Sequence, residues 1–360
     1  MTRVLVLVHG MGEYRPRWSA DIVRKLDAVA SQYPAFATGP RFSQRLTIEE
    51  ICYDDVFSDV VSRWNRDADA LDAWAKGAGR ALPKIVSWLR SPLPAKVKGF
   101  FWTTAVDPLL YRGFHLVRDD VRAQVMKQIA DIAERNMRGG AAEISVLAHS
   151  LGTAVVHDSL DALGRAPFEG NEALTAERWQ FANIFMLADV CRLARNLVAD
   201  IDYSTSIVRP TTAGTAGTTY CQFFVNVWHR DDPFVLMAPF RPTTWGENYV
   251  PIGPLEHFHQ ANVHGYTHYL DHPLVHVPII NGTLGEPIIS DADQAKALAA
   301  YPVTPAKRCD AQISTIIRTA QELGDADDLE DAIIGIAEFL ATVQQAANAC
   351  KALYSKDMFV

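Results

Sequence analysis

The chain predicts an α/β fold, a mostly parallel sheet flanked by helices, and three segments carry that prediction. Val4-Leu5-Val6-Leu7-Val8 is an unbroken run of branched apolar residues, the pattern of a strand buried on both faces. Ser145-Val146-Leu147-Ala148 is a second apolar run, which stops at His149-Ser150 and passes straight into a helical pattern over 153–163. Tyr220–His229 is a third, rich in β-branched and aromatic residues.

Taken in order, the strand at 4–8 leads into the turn His9-Gly10-Met11-Gly12 and then a helix near 18–33, where Ile22, Leu26 and Val29 share a face. Residues 46–53 read as a second strand. Residues 58–113 read as an inserted helical region or cap, set into a core assembled from 1–57 and 114–360. Within it, Ile85–Pro94 and Gly99–Trp102 combine aromatics with prolines. That composition suits a lid over a site, a patch in transient contact with a lipid interface, or the core of a packed helical subdomain. A long helix over 114–136 precedes the strand that ends at Ser150. Phe181–Ala188 reads as the next core strand, 203–219 as a surface loop, and 235–262 as an irregular excursion walling a pocket. The tail over 291–353 is helical in pattern. No internal repeat is present.

Two motifs carry chemistry. Ala148-His149-Ser150-Leu151-Gly152 places a serine between small residues at a strand-to-helix junction, the layout of a nucleophile elbow; read blandly, Ser150 is only a helix N-cap. The small residues matter because a larger Cβ two positions either side would strike neighbouring backbone. His9-Gly10-Met11-Gly12 ends the first strand, and its glycines allow a tight turn that aims N–H groups into a cavity. A phosphate loop fits poorly, since neither G-x-G-x-x-G nor G-K-[ST] occurs.

Together the V-H-G-M-G-E start and the A-H-S-L-G elbow resemble the α/β-hydrolase family, in its lipase- and esterase-like branch. The resemblance covers roughly 1–15, 143–160 and 220–280. It implies a chain order of Ser, acid, His, with oxyanion donors from the early loop and from the residue after the nucleophile. The donors are then Met11 and Leu151. The acid is Asp232, at the end of the Tyr220–His229 strand and ahead of Pro233 and Phe234, with Asp231 the alternative. The base is His268, in Thr267-His268-Tyr269-Leu270-Asp271-His272-Pro273, with His264 the alternative. The implied activity is that of a serine esterase or lipase acting on a small-molecule ester with an apolar group. The same triad would serve a thioesterase or amidase, and the same fold a non-catalytic binding protein.

His264, His268, His272 and His276 recur at spacing four, which on one helix would align them as metal ligands. Pro273 and Pro278 argue against such a helix, and there is no H-E-x-x-H or paired cysteine, so no metal and no organic cofactor are expected. The net charge of −8 disfavours a nucleic-acid partner. The five cysteines are scattered, with Cys221 inside a predicted strand, which suits free thiols in a reducing compartment. No signal peptide or membrane span is read, so a cytoplasmic location is expected.

Overall fold

Successive side chains of a strand point to opposite faces of the sheet, and β1 (Thr2–Val8) is apolar at nearly every position, so both of its faces need cover. Val4, Val6 and Val8 enter one buried cluster, Leu5 and Leu7 the other. The computed structural model of this chain describes residues 2–10, 16–56, 115–138, 140–165, 172–192, 206–212, 215, 217–230, 232, 234–235, 239–257 and 264–301.

The sheet has six strands in the order β2-β1-β3-β4-β5-β6, and every neighbouring pair is parallel. The other strands are β2 (Thr47–Ile51), β3 (Ala142–His149), β4 (Phe181–Leu187), β5 (Cys221–His229) and β6 (Tyr249–Leu255). On one face pack α2 (His115–Met137) and α3 (Leu151–Arg165), through residues such as Val121, Ile129, Val155 and Leu160. On the other pack α1 (Ala20–Ala30), α4 (Tyr266–Asp271) and α5 (Pro273–Leu284), through Leu26, Leu270, Val275 and Ile280. A further helix, α6 (Asp291–Ala300), packs against α5. The result is a three-layer α/β architecture.

Strand order turns around at β1, which has β2 on one side and β3 on the other. Helices leaving β1 and β3 go to opposite faces and open a crevice at the carboxyl ends of the two strands, where open α/β sheets place their sites. The His9-Gly10 turn and Ser150 both stand there.

Three expectations are corrected. The excursion over 235–262 contains a strand, β6, which the periodicity hid behind Pro251 and Pro254. Prolines are tolerated there because β6 is an edge strand among the described residues, paired with β5 on one side. Pro278 does not interrupt a helix; it lies inside α5. The break falls one turn earlier, at His272, whose extended backbone ends α4 and caps α5 with Pro273 in the first turn. The third correction concerns the base and is given below. The 58–113 insertion with its aromatic cluster, and the tail beyond 301, lie outside the described residues. Among the described residues Cys52, Cys191 and Cys221 form no disulfide with one another, and no helix is long and apolar enough to cross a membrane.

Buried imidazoles join the layers. His276 of α5 donates from Nδ1 to the Leu270 carbonyl and accepts at Nε2 from the Tyr33 hydroxyl at 2.7 Å, docking α5 onto the end of α1. Burial lowers His276 to about 4, His9 to about 4 and His149 to about 3. All three are neutral when folded at pH 6, whereas an unfolded imidazole protonates near 6.5. Unfolding therefore takes up protons below that pH, and stability present at pH 7 is lost as the pH falls from about 6.5 toward 4. Urea midpoints measured at pH 7, 6 and 5 are expected to fall steadily; a flat profile would contradict these burials.

Candidate active site

Ser150 sits at the end of β3 with φ at 54°, in the left-handed region that, among the described residues, Arg17 and Ala188 also occupy without being glycine. That conformation costs a residue with a Cβ roughly 1–2 kcal/mol, so neighbours must impose it. The Ser150 amide donates to the Leu187 carbonyl at 3.0 Å, and the Ser150 carbonyl accepts from the Thr153 amide and hydroxyl. The strand thus ends and α3 begins within one residue.

The small flanking residues have a steric cause. A Cβ on Gly152 would stand 2.1 Å from the His9 carbonyl oxygen, and one on Gly10 would stand 2.7 Å from the Ser150 Cβ. The start of α3 and the end of β1 therefore touch backbone to backbone. Tyr53 holds the β1 side of this contact. Its hydroxyl donates to the His9 carbonyl at 2.8 Å, and its ring stacks on the His9 imidazole at 4.2 Å.

The partner of Ser150 is His264. Its Nε2 lies 2.7 Å from the Ser150 Oγ, and its Nδ1 lies 2.9 and 2.8 Å from the two carboxylate oxygens of Asp232. A carboxylate only accepts, so Nδ1 carries the proton, and Nε2 presents its lone pair to the serine hydroxyl. Asp232 is fully buried. Burial pushes its carboxyl up, but the opposing charge and hydrogen bond of His264 and the Tyr269 hydroxyl bring it below the ordinary carboxylate value. Its oxygens also accept from the Phe234 amide at 3.1 Å and from Tyr269 Oη at 2.6 Å.

The third correction follows: the imidazole that the chain brings to Ser150 belongs to His264, not to His268. His264 stands two residues before the start of α4. His268 lies inside α4 and faces away, its Nε2 donating to the His257 carbonyl at 3.1 Å and its ring stacked on His257. The aromatic-then-proline pattern downstream of His268 marks the break between α4 and α5 rather than a base. Of the other predicted positions, Ser150 and Asp232 meet in this relay. Leu151 is buried as the first residue of α3, where an amide has no intrahelical acceptor. Met11 and Asp231 lie outside the described residues.

Sequence reasoning passed over the groups that hold the relay. His149 Nε2 donates to the His264 carbonyl at 2.6 Å, and its ring stacks on Tyr266 at 4.8 Å. Burial and the neighbouring His264 lower His149 to about 3, so it is a neutral donor. Tyr266 donates to the Leu147 carbonyl, and the Tyr269 hydroxyl accepts from the His229 amide while donating to Asp232. The H-S dipeptide and the Gly265-Tyr266-x-x-Tyr269 run were the available signals. No model of a known protein family matches the chain, and no curated protein is significantly similar to it.

Gly152→Ala drives a methyl group into the His9 carbonyl. It should lower stability by about 1–3 kcal/mol, as overpacking does, and depress the melting temperature. A variant melting with the native protein would show that the β1–α3 contact is not tight.

Proposed function

We propose that the chain is a serine hydrolase of the α/β-hydrolase type, which cleaves carboxylic esters through Ser150, His264 and Asp232 and an acyl-enzyme intermediate. The observation that carries this reading is the unbroken line from Ser150 Oγ to His264 Nε2 and from His264 Nδ1 to Asp232. It agrees with the Ser, acid, His chain order that the elbow motif implies. A serine is a weak nucleophile until a base takes its proton, and this is the arrangement that supplies one.

The proton transfers use Ser150, His264 and Asp232 as they stand. His264 Nε2 accepts the proton of Ser150 as Oγ bonds to the ester carbonyl carbon. The imidazolium that forms is stabilised by Asp232, held ionised by its hydrogen bonds. The carbonyl electron pair moves to oxygen, and the oxyanion is assigned to the amides of Leu151 and Met11. Each such donor is worth about 10²–10³ in rate. The tetrahedral centre collapses, the ester C–O bond breaks, and His264 Nε2–H protonates the departing alkoxide. Water then enters, gives a proton to His264, and attacks the acyl carbon. Ser150 leaves with that proton, releasing the acid. The Phe234 ring, 4.5 Å from that of His264, offers an apolar wall beside the reacting centre and suits an apolar acyl or alcohol group.

Hydrolysis of p-nitrophenyl esters of graded acyl length tests the reading. The native chain should turn over, and Ser150→Ala should abolish it. His264→Ala and Asp232→Asn should each lower kcat by about three orders of magnitude or more, because such residues act as a unit. His268→Gln should stay within about tenfold, as a change outside the relay. Full activity in His264→Ala, or loss in His268→Gln alone, would overturn the assignment of the base.

A further inference from the structure

Behind the acid lies a second group of imidazoles that the hydrolytic steps do not use. His229 is the last residue of β5, His257 follows β6 by two residues, and His268 is in α4. All are buried, and a ring nitrogen of each lies within 4.8 Å of those of the other two. Three polar rings from three separate chain segments are an expensive way to fill a core, unless their polarity is used.

Their hydrogen bonds show how it can be used. His229 Nε2 faces the His257 carbonyl at 2.9 Å, His257 Nε2 the His268 carbonyl at 3.1 Å, and His268 Nε2 the His257 carbonyl at 3.1 Å. A carbonyl only accepts, so Nε2 carries the proton in all three rings and Nδ1 keeps the lone pair. An imidazole whose far N–H is tied to a backbone carbonyl is the usual state of a metal-ligating histidine, because that bond fixes tautomer and ring orientation.

We propose that His229, His257 and His268 bind one divalent transition-metal ion of the zinc class, which ties the strand end that carries Asp232 to the helix that follows His264. Neutral nitrogen donors select zinc, cobalt, nickel or copper over the oxygen-seeking magnesium and calcium. Nitrogens around zinc sit at about 2.0–2.1 Å from the ion, closer together than the rings now stand, so binding draws the three inward. It also splays the His257–His268 stack, whose ring centroids are now 4.1 Å apart and whose planes are tilted by 12°. The ion acts on structure rather than on substrate. Its link to the relay runs through the His229 amide, which donates to the Tyr269 hydroxyl, which in turn donates to Asp232. The prolines among the spacing-four histidines and the lack of H-E-x-x-H or a cysteine pair point away from a metal only along a single element. These donors come instead from two strand ends and one helix, and only His268 belongs to that series.

The test is made on the full chain and is independent of any hydrolysis. Protein stripped with a chelator is titrated with Zn²⁺ by calorimetry and with Co²⁺ by visible absorption. Melting is followed against free Zn²⁺, and absorption at the zinc edge of the loaded protein counts the imidazole shells. One equivalent is expected, with three imidazoles at the metal and a melting temperature that climbs with metal concentration. His257→Gln and His268→Gln should weaken binding at least tenfold, while His272→Gln at the rim leaves it unchanged. No binding to the native chain, binding through fewer than three imidazoles, or equal binding in all variants (adventitious surface metal only) would overturn the proposal. If the substituted chains do not fold, the edge spectrum of the native protein decides it.

Discussion

The site depends on one steric constraint, the backbone contact between the end of β1 and the start of α3. With hydrogen alone at Gly152, α3 can begin against the His9 carbonyl, and Ser150 is left in a left-handed turn at the lip of the sheet. The strain of the turn is offset by the Leu187 carbonyl on one side and by Thr153 on the other. The turn at Ser150 is therefore set by the packing of the parallel sheet against its helix together with these hydrogen bonds.

A second constraint keeps the base opposite it. The segment at His264 and the start of α4 are fastened by hydrogen bonds. His149 donates to the His264 carbonyl, Tyr266 to the Leu147 carbonyl, and Tyr269 to Asp232. Each fastening group is buried, and His149 is held neutral, so the frame uses hydrogen bonds without adding charge beside the relay. Asp232 and Ser150 stand just past the ends of β5 and β3, and His264 stands just before α4. The inferred metal site would close the same frame from behind, where β5, the chain after β6 and α4 converge.

Much of the fold was legible because its signals are local. The doubly buried strands announce themselves as apolar runs, and α1 as a face of Ile22, Leu26 and Val29. Ser150 and Asp232 were legible because each sits where a strong strand signal stops. The base was not legible, since six histidines follow Asp232 and none of their spacings records which one faces the elbow. Only the position of α4 separates His264, before the helix, from His268, one turn inside it. β6 was hidden by two prolines that an edge strand tolerates. The gathering of His229, His257 and His268 is a tertiary event, invisible to any search along a single element.

The most direct measurement is reaction of the native chain with a fluorophosphonate, followed by mass-spectrometric mapping of the adduct. An activated Ser150 predicts a single phosphonyl group on the peptide that contains it, formed far more slowly in His264→Ala. No adduct, or one that maps to another residue, would contradict the claim that this turn and this relay make Ser150 a nucleophile.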